Sequence, residues 1–380
     1  MLKIIVESIA HKLVDLSLYS VKRGKRVVEG IRKLLIIRID GIGDFILFSP
    51  MLKYYRMLYK NYHISLLVNK LVVDLAKRFD AVDEVISFDG KKFNRDLIYR
   101  RRLLRKIKEE CFEIVIYPAY SRTPIGDYIV KISQANEKIG FDGDLCNITR
   151  HDKLRNDRYY TKLIPTKPGI ISEIERNKEF LEALGIKVNL VIPSFTPSRK
   201  DEAEARKILS GNGLKDSSPF VVVCPGAGSE KKLWPLERYA HLITWLKKEK
   251  GIEAVIIGSD NEHYLARKIE SIANIPIIDI TGKTSLPTLS AILKKSLLYI
   301  GSDTGSVHLA AAVGTPTVCI MGGGHFGRFF PYGDLDKNGI VYKKMHCYGC
   351  NWQCKYERVR CIEEITMEQV KDEVKKMICM

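Results

Sequence analysis

The strongest constraint on the fold is a repeated alternation of short apolar runs with segments of helical pattern. The first series of runs, beginning at residue 33, reads LLIIRI, HISLLVN, VDEVISF and FEIVIYP, with helical patterns near 49–58, 72–79 and 105–110. The second series reads PFVVVCPG, EAVIIGS, SLLYIGS and PTVCIMG, with helical patterns at 236–248, 263–272 and 307–313. Continuous Val, Ile and Leu runs indicate strands that are buried on both faces. The sequence therefore predicts an α/β protein with two doubly wound parallel sheets.

The length of the chain suits two domains, because 380 residues exceed one typical domain and allow each half its own core. The stretch 191–219 mixes Pro, Ser, Gly and charge, which is typical of a connection between domains. We predict four parts: an amphipathic basic helix at 1–30, a first domain at 31–195, a second at 196–345, and a cysteine-rich tail with a helix at 346–380. The expected site is a cleft between the two domains.

The charge balance indicates an anionic partner. A net charge of +17 favours nucleic acid, a phosphorylated substrate or an acidic membrane surface. The apolar face of residues 1–30, which ends in a basic run, predicts either a helix lying on anionic lipid or one packed on the protein's own core. No apolar stretch reaches the roughly 20 residues that span a membrane, and no signal peptide is recognisable, so we expect a cytoplasmic protein.

Three glycine-rich loops carry the candidate chemistry, and the first is RIDGIGD at 38–44. Gly41 and Gly43 allow a sharp turn where a strand ends, which is where open α/β sheets bind ligands. The third glycine of a dinucleotide fingerprint is absent, because Ile46 stands at its position, and this disfavours a nicotinamide cofactor. Asp44 is interpreted either as a helix cap or as a general base.

The second loop, CPGAGS at 224–229, is followed by two lysines and a Trp-Pro pair. Bare backbone amides and an ammonium group together suit a phosphate, although a solvated basic loop with the tryptophan packed beneath it is the alternative. The candidate residues are Gly226, Ala227, Gly228, Ser229, Lys232 and Trp234.

The third loop, GSDTGSVH at 301–308, joins a predicted strand to a predicted helix. Small residues expose the first amides of such a helix to a diphosphate, while an aspartate or threonine there either caps the helix or contacts a sugar hydroxyl. A lone histidine one turn into the helix is either structural or in contact with ligand. The candidate residues are Ser302, Asp303, Thr304, Gly305 and His308.

Four blocks in this order resemble glycosyltransferase family 9, the lipopolysaccharide heptosyltransferases. They read IIRIDGIGDFILFSPMLKYYR, CPGAGSEKKLWPLERYAHLI, DITGKTSLPTLSAIL and GSDTGSVHLAAAVGTPTVCIMGG, and they lie within residues 34–324. The resemblance implies a GT-B fold, in which two Rossmann-like domains face a central cleft. It also implies inverting transfer of a heptose from ADP-heptose to a lipopolysaccharide-core or related lipid-linked glycan, at the inner membrane surface and without nucleic acid.

The resemblance also assigns roles to individual residues. Asp44 matches the general base that deprotonates the acceptor, and Lys232 matches the lysine that stabilises the diphosphate. Asp303, Thr304 and Gly305 match the donor-binding loop, with His308 one turn farther along. No cofactor is implied for this chemistry.

The tail departs from the simplest family pattern because four cysteines lie within 15 residues. Their spacing would suit a structural zinc ion or an iron–sulfur cluster, while free thiols and disulfides are the alternatives. The four candidate ligands are Cys347, Cys350, Cys354 and Cys361.

Two other functional classes compete with a glycosyltransferase that uses ADP-heptose or another nucleotide sugar. A nicotinamide-dependent oxidoreductase would also have Rossmann-like halves, but the missing glycine disfavours it. A non-catalytic anion-binding protein would use the basic charge, for example on the helix predicted around 105–110, where the positive side chains are either solvated or in contact with anionic lipid. These side chains are Arg100, Arg101, Arg102, Arg105, Lys106 and Lys108.

Overall fold

The computed structural model describes residues 30–169, 172–189 and 192–378. Contacts among the described residues divide them into two compact units. The first unit holds 30–41, 51–169 and 174–189, and the second holds the remainder, including the short segment 42–50. The amphipathic helix predicted at 1–30 falls, but for its last residue, outside the described part of the chain.

The first unit is built on six parallel strands in the order β3-β2-β1-β4-β5-β6. Its two central strands, β1 and β4, are fully or almost fully buried along most of their length, as the apolar runs predict. The strands are β1 (Arg32–Arg38), β2 (Tyr62–Asn69), β3 (Glu84–Phe88), β4 (Ile114–Tyr117), β5 (Glu137–Phe141) and β6 (Lys162–Ile164).

The second unit repeats this plan with the order β12-β11-β10-β7-β8-β9, again all parallel. In both units the chain order reverses beside the first strand, and such a switch point is where open α/β sheets bind ligands. The strands are β7 (Phe220–Cys224), β8 (Glu253–Ile256), β9 (Ile278–Asp279), β10 (Tyr299–Ser302), β11 (Thr317–Met321) and β12 (Asn338–Tyr342).

Helices connect the strands throughout. Up to the end of the first sheet they are α1 (Ile42–Phe48), α2 (Leu52–Leu58), α3 (Val73–Ala76), α4 (Gly90–Arg95), α5 (Leu97–Glu109), α6 (Pro124–Ser133) and α7 (Arg150–Asp157). The later helices are α8 (Glu173–Ala183), α9 (Arg199–Gly211), α10 (Leu236–Lys250), α11 (His263–Ala273), α12 (Leu286–Lys295), α13 (Gly305–Ala312), α14 (Arg360–Glu363) and α15 (Met367–Ile378). Two doubly wound α/β units, as predicted from the alternating pattern, are thus confirmed.

The helix predicted near 49–58 is present as a 3₁₀ turn at Ser49–Met51 followed by α2, but the helical region starts earlier than predicted. The helix α1 begins at Ile42, immediately after the glycine-rich turn, and ends at Phe48. Pro50 disfavours α-helical backbone at the residue before it, so α1 ends there and the 3₁₀ turn leads into α2. Asp44 therefore lies within the first helical turn.

Among the residues that the structure covers, none of the helices combines the length and the apolar character needed to cross a bilayer.

Candidate active site

The second and third glycine-rich loops come together because β7 and β10 are neighbours in the second sheet. Gly301 of β10 pairs with Cys224 of β7, so both strands deliver their loops to one edge of that sheet. The strands also approach closely there, since a Cβ atom on Gly301 would lie 2.7 Å from the carbonyl oxygen of Cys224. Residues about 75 positions apart in sequence thereby form one site.

Lys232 connects the two loops. It ends a 3₁₀ turn at Glu230–Lys232, and its Nζ donates to the backbone oxygen of Asp303 at 3.0 Å. The same Nζ lies 3.4 Å from the Asp303 carboxylate oxygen Oδ2. Ser302 fixes the lysine backbone, because its hydroxyl donates to the Lys232 carbonyl at 2.9 Å. The ammonium group is therefore held directly over the start of the third loop.

The buried carboxylate of Asp303 lies between the side chains of Lys232 and His308. Its side chain is 7% exposed, and Oδ1 lies 3.7 Å from Nε2 of His308. Burial by itself would raise the pKa of this carboxyl group, but the interactions with His308 and Lys232 outweigh it and lower the pKa to about 2. Asp303 is thus ionised at neutral pH and anchors Lys232.

His308 is a buried residue of α13 with partners on several sides. Its ring stacks on Tyr332 with a centroid separation of 5.7 Å, and Nδ1 lies 3.3 Å from the Tyr332 hydroxyl. Phe330 contacts the ring edge-on. The histidine is therefore fixed in place with Nε2 facing Asp303, and contact with a ligand stays a prediction.

Glycines let α1 pack closely against α13. A Cβ atom on Gly43 would lie 2.6 Å from Cδ2 of His308, and one on Gly305 would lie 2.6 Å from Cβ of Ile42. Gly43 does not have a positive φ, so the structure requires it for close packing and not for the sharp turn that the sequence suggested. The exposed Gly41 precedes this helix.

Asp44 is the third residue of α1 and is half-buried. A carboxylate in a first helical turn interacts favourably with the helix dipole, so the structure is compatible with the helix-cap interpretation. The preceding residue, Gly43, touches His308, whose ring in turn faces Asp303. Asp44 is therefore adjacent in sequence to a residue that contacts the third loop. Its role as a base stays a prediction.

The residues of the second loop that are candidates for phosphate binding have different surroundings. Gly226 is buried, and a Cβ atom there would lie 2.0 Å from Oε1 of Glu262, a carboxylate that sequence reasoning missed. Gly228 is exposed with open space around it, while Ala227 and Ser229 are half-buried. The second loop is thus covered by Glu262 at Gly226 and exposed to solvent at Gly228.

Trp234 lies beneath this loop and not on its surface. Its side chain is fully buried, and its indole nitrogen donates to the backbone oxygen of Ile365 at 2.8 Å. Tyr239 contacts its ring edge-on. The tryptophan supports the loop from the core, as one of the two sequence interpretations proposed.

The helix amides of the third loop are not capped by a side chain. Thr304 is the N-cap residue of α13, but its side chain makes no capping bond, and its hydroxyl is 2.8 Å from that of Ser306. The expected capping by a threonine is therefore absent at this helix. Ser302 ends β10 and Gly305 begins α13, and their contact with a ligand stays a prediction.

The four tail cysteines surround one small cavity of about 10 Å³. Cys361 accepts a bond from the Gly323 amide at 3.4 Å, and Cys354 donates to the Arg358 carbonyl at 3.7 Å. Burial raises the pKa of the Cys361 thiol although the Gly323 bond opposes it. All eight cysteines that the structure describes are free thiols.

The residue types suit zinc or iron, but their arrangement does not. Within the ranges 30–169, 172–189 and 192–378, no three His, Cys, Asp or Glu side chains are placed so that they could hold a metal ion. The structural metal at Cys347, Cys350, Cys354 and Cys361 therefore stays a prediction that this geometry does not support.

Several basic side chains of α5 are buried in the first unit or paired with its acidic residues. Arg100 is buried with its guanidinium 4.4 Å from the Phe93 ring, and Lys108 is also buried. Lys106 pairs with Glu84, and Arg105 pairs with Glu109 on the same helix. The exposed basic surface is therefore smaller than the sequence suggested, and it includes Arg101, Arg102 and Arg105.

The two paired loops lie at the carboxyl edge of a parallel sheet, which is where α/β proteins of this class bind their ligands. A family model described as "Glycosyltransferase family 9 (heptosyltransferase)" matches residues 100–359. The chain belongs to glycosyltransferase family 9 and is a glycosyltransferase, which confirms the resemblance of the four sequence blocks. The oxidoreductase and the non-catalytic binding protein are set aside on this ground.

Curated relatives carry heptosyltransferase names. Lipopolysaccharide heptosyltransferase 3 of Escherichia coli K12 is 31% identical over 153 residues, which are 39% of this chain and 43% of the relative. Lipopolysaccharide core heptosyltransferase OpsX of Haemophilus influenzae is 21% identical over 372 residues, covering 92% of this chain and 98% of the relative.

Solved structures share the fold. A glycosyltransferase family 9 protein of Veillonella parvula aligns with a TM-score of 0.72 and 19% identity over 92% of this chain and 97% of its own. ADP-heptose lipopolysaccharide heptosyltransferase II of E. coli aligns with a TM-score of 0.71 and 17% identity, over 91% and 98%. The iron-containing dodecameric glycosyltransferase TibC of enterotoxigenic E. coli aligns with 0.53 and 16%, over 93% and 77%. These similarities confirm the GT-B type of two-unit α/β architecture.

We predict that Gly43→Ala destabilises the protein by about 1–3 kcal/mol, because the new methyl group would overlap the fixed His308 ring. Urea denaturation measures the change. Gly211→Ala is the matched control, since its Cβ atom would meet open space in α9. Equal unfolding free energies for the two variants would contradict the close packing of α1 on α13.

We predict a pH-dependent loss of stability that depends on Asp303. Its pKa is lowered from an ordinary 3.8 to about 2 on folding, so the ionised group contributes about 2 kcal/mol above pH 4. That contribution disappears as the pH falls from about 4 to about 2. The difference in unfolding free energy between wild type and Asp303→Asn should therefore shrink over this range, as urea denaturation at each pH would show.

The control for this measurement is Asp216→Asn, because Asp216 is an exposed residue of the same unit. A difference that stays constant between pH 5 and pH 2 for Asp303→Asn would contradict the buried charge at this position.

Proposed function

We propose that the protein transfers a heptose from an ADP-activated donor to a lipopolysaccharide-core or related lipid-linked glycan, with inversion at the anomeric carbon. Family membership supports the transferase chemistry. The names of the relatives support the sugar, the ADP group and the lipopolysaccharide acceptor. The observation that carries the proposal is the placement of Lys232 by Asp303 between two glycine-rich loops at one sheet edge.

In this proposal Lys232 stabilises the leaving diphosphate. Cleavage of the anomeric bond transfers the bonding electrons to the diphosphate oxygen, so negative charge increases there in the transition state. An ammonium already fixed in position lowers the barrier, because no reorganisation is needed at the moment of reaction. The two interactions with Asp303 provide that fixed position.

The start of α13 supplies the second source of positive potential. Its first amides carry the partial positive charge of a helix N-terminus, and the N-cap Thr304 does not cover them with its side chain. Gly305, the first residue of the helix, lets α1 pack closely against the start of α13. The family resemblance assigns donor binding to Asp303, Thr304 and Gly305, which match the donor-binding loop.

Asp44 acts as the general base in the proposed mechanism. The acceptor hydroxyl loses its proton to the carboxylate while its oxygen forms the new bond to the anomeric carbon, and the bond to the diphosphate breaks on the opposite face. Inversion follows from this single displacement. No bound cofactor takes part in these steps.

We further propose that the enzyme works at the cytoplasmic surface of the inner membrane. A lipid-linked acceptor would be presented there, and the net charge of +17 favours association with anionic lipid. The exposed arginines of α5, which are Arg101, Arg102 and Arg105, are candidates for such contact within the first unit.

We predict that the protein binds ADP in preference to UDP, GDP and NAD, and that Lys232→Ala weakens ADP binding about 10- to 100-fold through loss of a charge-assisted bond. Titration calorimetry at fixed salt measures both. Lys248→Ala, which removes an exposed charge from α10, controls for net charge. Preference for UDP or GDP would change the donor, whereas binding of NAD alone would contradict the proposed function.

We predict that Asp44→Asn reduces transfer by about 10²- to 10⁴-fold while the protein stays folded and keeps its ADP affinity, because the proton acceptor is lost. Single-turnover assays with ADP-heptose measure the rate. Asp74→Asn is the matched control, since Asp74 is also an acid in a first helical turn. Lower stability with unchanged turnover would show that Asp44 is a helix cap instead.

A further inference from the structure

Three consecutive glycines after β11 provide a flat surface for aromatic rings of the tail. A Cβ atom on Gly322 or Gly324 would lie 2.7 or 2.4 Å from the Trp352 ring. A Cβ atom on Gly323 would lie 2.2 Å from the Tyr348 ring. The rings occupy the space that any side chain would need, so this glycine run is matched to the aromatic residues of the cysteine-rich segment.

Backbone bonds hold this segment, 347–354, in an unusual conformation. The amides of Gly349 and Asn351 donate to the carbonyls of Gly323 and Gly324 at 2.8 and 3.1 Å. Asn351 and Trp352 adopt φ values of 49° and 60°. A positive φ is unfavourable for a bulky residue such as tryptophan, and such strain persists only where surrounding contacts impose it.

His325 fixes the orientation of the tryptophan. Its Nε2 lies 2.5 Å from Oδ1 of Asn351, and its Nδ1 accepts a bond from the Trp352 indole nitrogen at 3.4 Å. Burial lowers the pKa of His325, although the bond to Asn351 opposes the shift. A neutral ring with its proton on Nε2 satisfies both contacts, so the histidine clamps two successive residues of the segment.

The clamped tryptophan reaches the lysine of the candidate active site. Nζ of Lys232 lies 5.3 Å from the centroid of the Trp352 ring, a distance typical of a cation–π interaction. The neighbouring Lys231 donates to the Trp352 backbone oxygen at 2.7 Å. The ammonium of Lys232 therefore has the Asp303 backbone and carboxylate and the tryptophan ring among its neighbours.

We propose that Trp352 is a positioning residue that holds the Lys232 ammonium against Asp303, where the donor diphosphate would leave; this inference rests on the proposed function. The ring attracts the ammonium electrostatically and restricts the directions that its long side chain can take. Since Trp352 also lines the cysteine cavity, the cysteine-rich segment contributes to the donor site by holding this ring in place.

The first test measures the position of Lys232 without any donor. The rate at which an acylating reagent modifies Lys232 is followed by mass spectrometry, with exposed Lys248 as the internal reference. We expect Trp352→Leu to raise the Lys232 rate about fivefold, the value of a cation–π contact near 1 kcal/mol. Trp352→Phe, which retains an aromatic ring, should stay near wild type, as should the control Tyr356→Leu from the same tail.

The second test is a double-mutant cycle on ADP affinity. Trp352→Leu should weaken ADP binding about fivefold in the wild-type background and leave it unchanged in Lys232→Ala, because the ring acts through the lysine. A merely structural role would instead weaken binding equally in both backgrounds, and that result would overturn the proposal. Circular dichroism of each variant confirms that it is folded.

The two tests separate this inference from the proposed function. Unchanged acylation of Lys232 in Trp352→Leu would overturn the positioning role, whatever the ADP affinity. Faster acylation together with a wild type that does not bind ADP would keep the positioning role and contradict the proposed donor.

Discussion

The buried charge of Asp303 is the interaction on which the rest of the site depends. A carboxylate that is removed from water is unstable unless cations or donors surround it. Lys232 and His308 meet that need, and each is fixed by doing so. Tyr332 and Phe330 pack against the His308 ring and hold it in the orientation that faces Asp303. The position of Lys232 is thus a consequence of burying one acid.

The topology of the second sheet makes this pairing possible. Strands β7 and β10 are separated by almost 80 residues, but the reversal of strand order makes them neighbours. Their loops therefore leave from the same edge, where one provides the lysine and the other the aspartate. The first sheet has the same strand order. A shared topology does not by itself give both units a ligand site, because the residues on the loops decide that.

The sequence predicts the parts of this arrangement that depend on local pattern. Continuous apolar runs predicted the central strands, and glycines at strand ends predicted the loops, two of which the structure brings together. The contact of His308 with Gly43 could not be predicted, because it joins residues 265 positions apart through packing alone. The same holds for Trp352, whose partners include Gly322, Gly324 and a lysine far away in sequence. The helix start at Ile42 was missed because a proline can open a helix as well as end one.

A lysine suits position 232 because of the geometry of its charged group. An ammonium has three N–H donors, and in this structure the backbone oxygen and the carboxylate of Asp303 use two directions. One donor direction remains for an anionic ligand, while the Trp352 ring limits rotation of the side chain without accepting a conventional hydrogen bond. A planar guanidinium would spread its donors over a larger fork and would tend to pair with the carboxylate through two of them. The compact ammonium can therefore be anchored by a buried acid and still face the diphosphate that the proposed function places there.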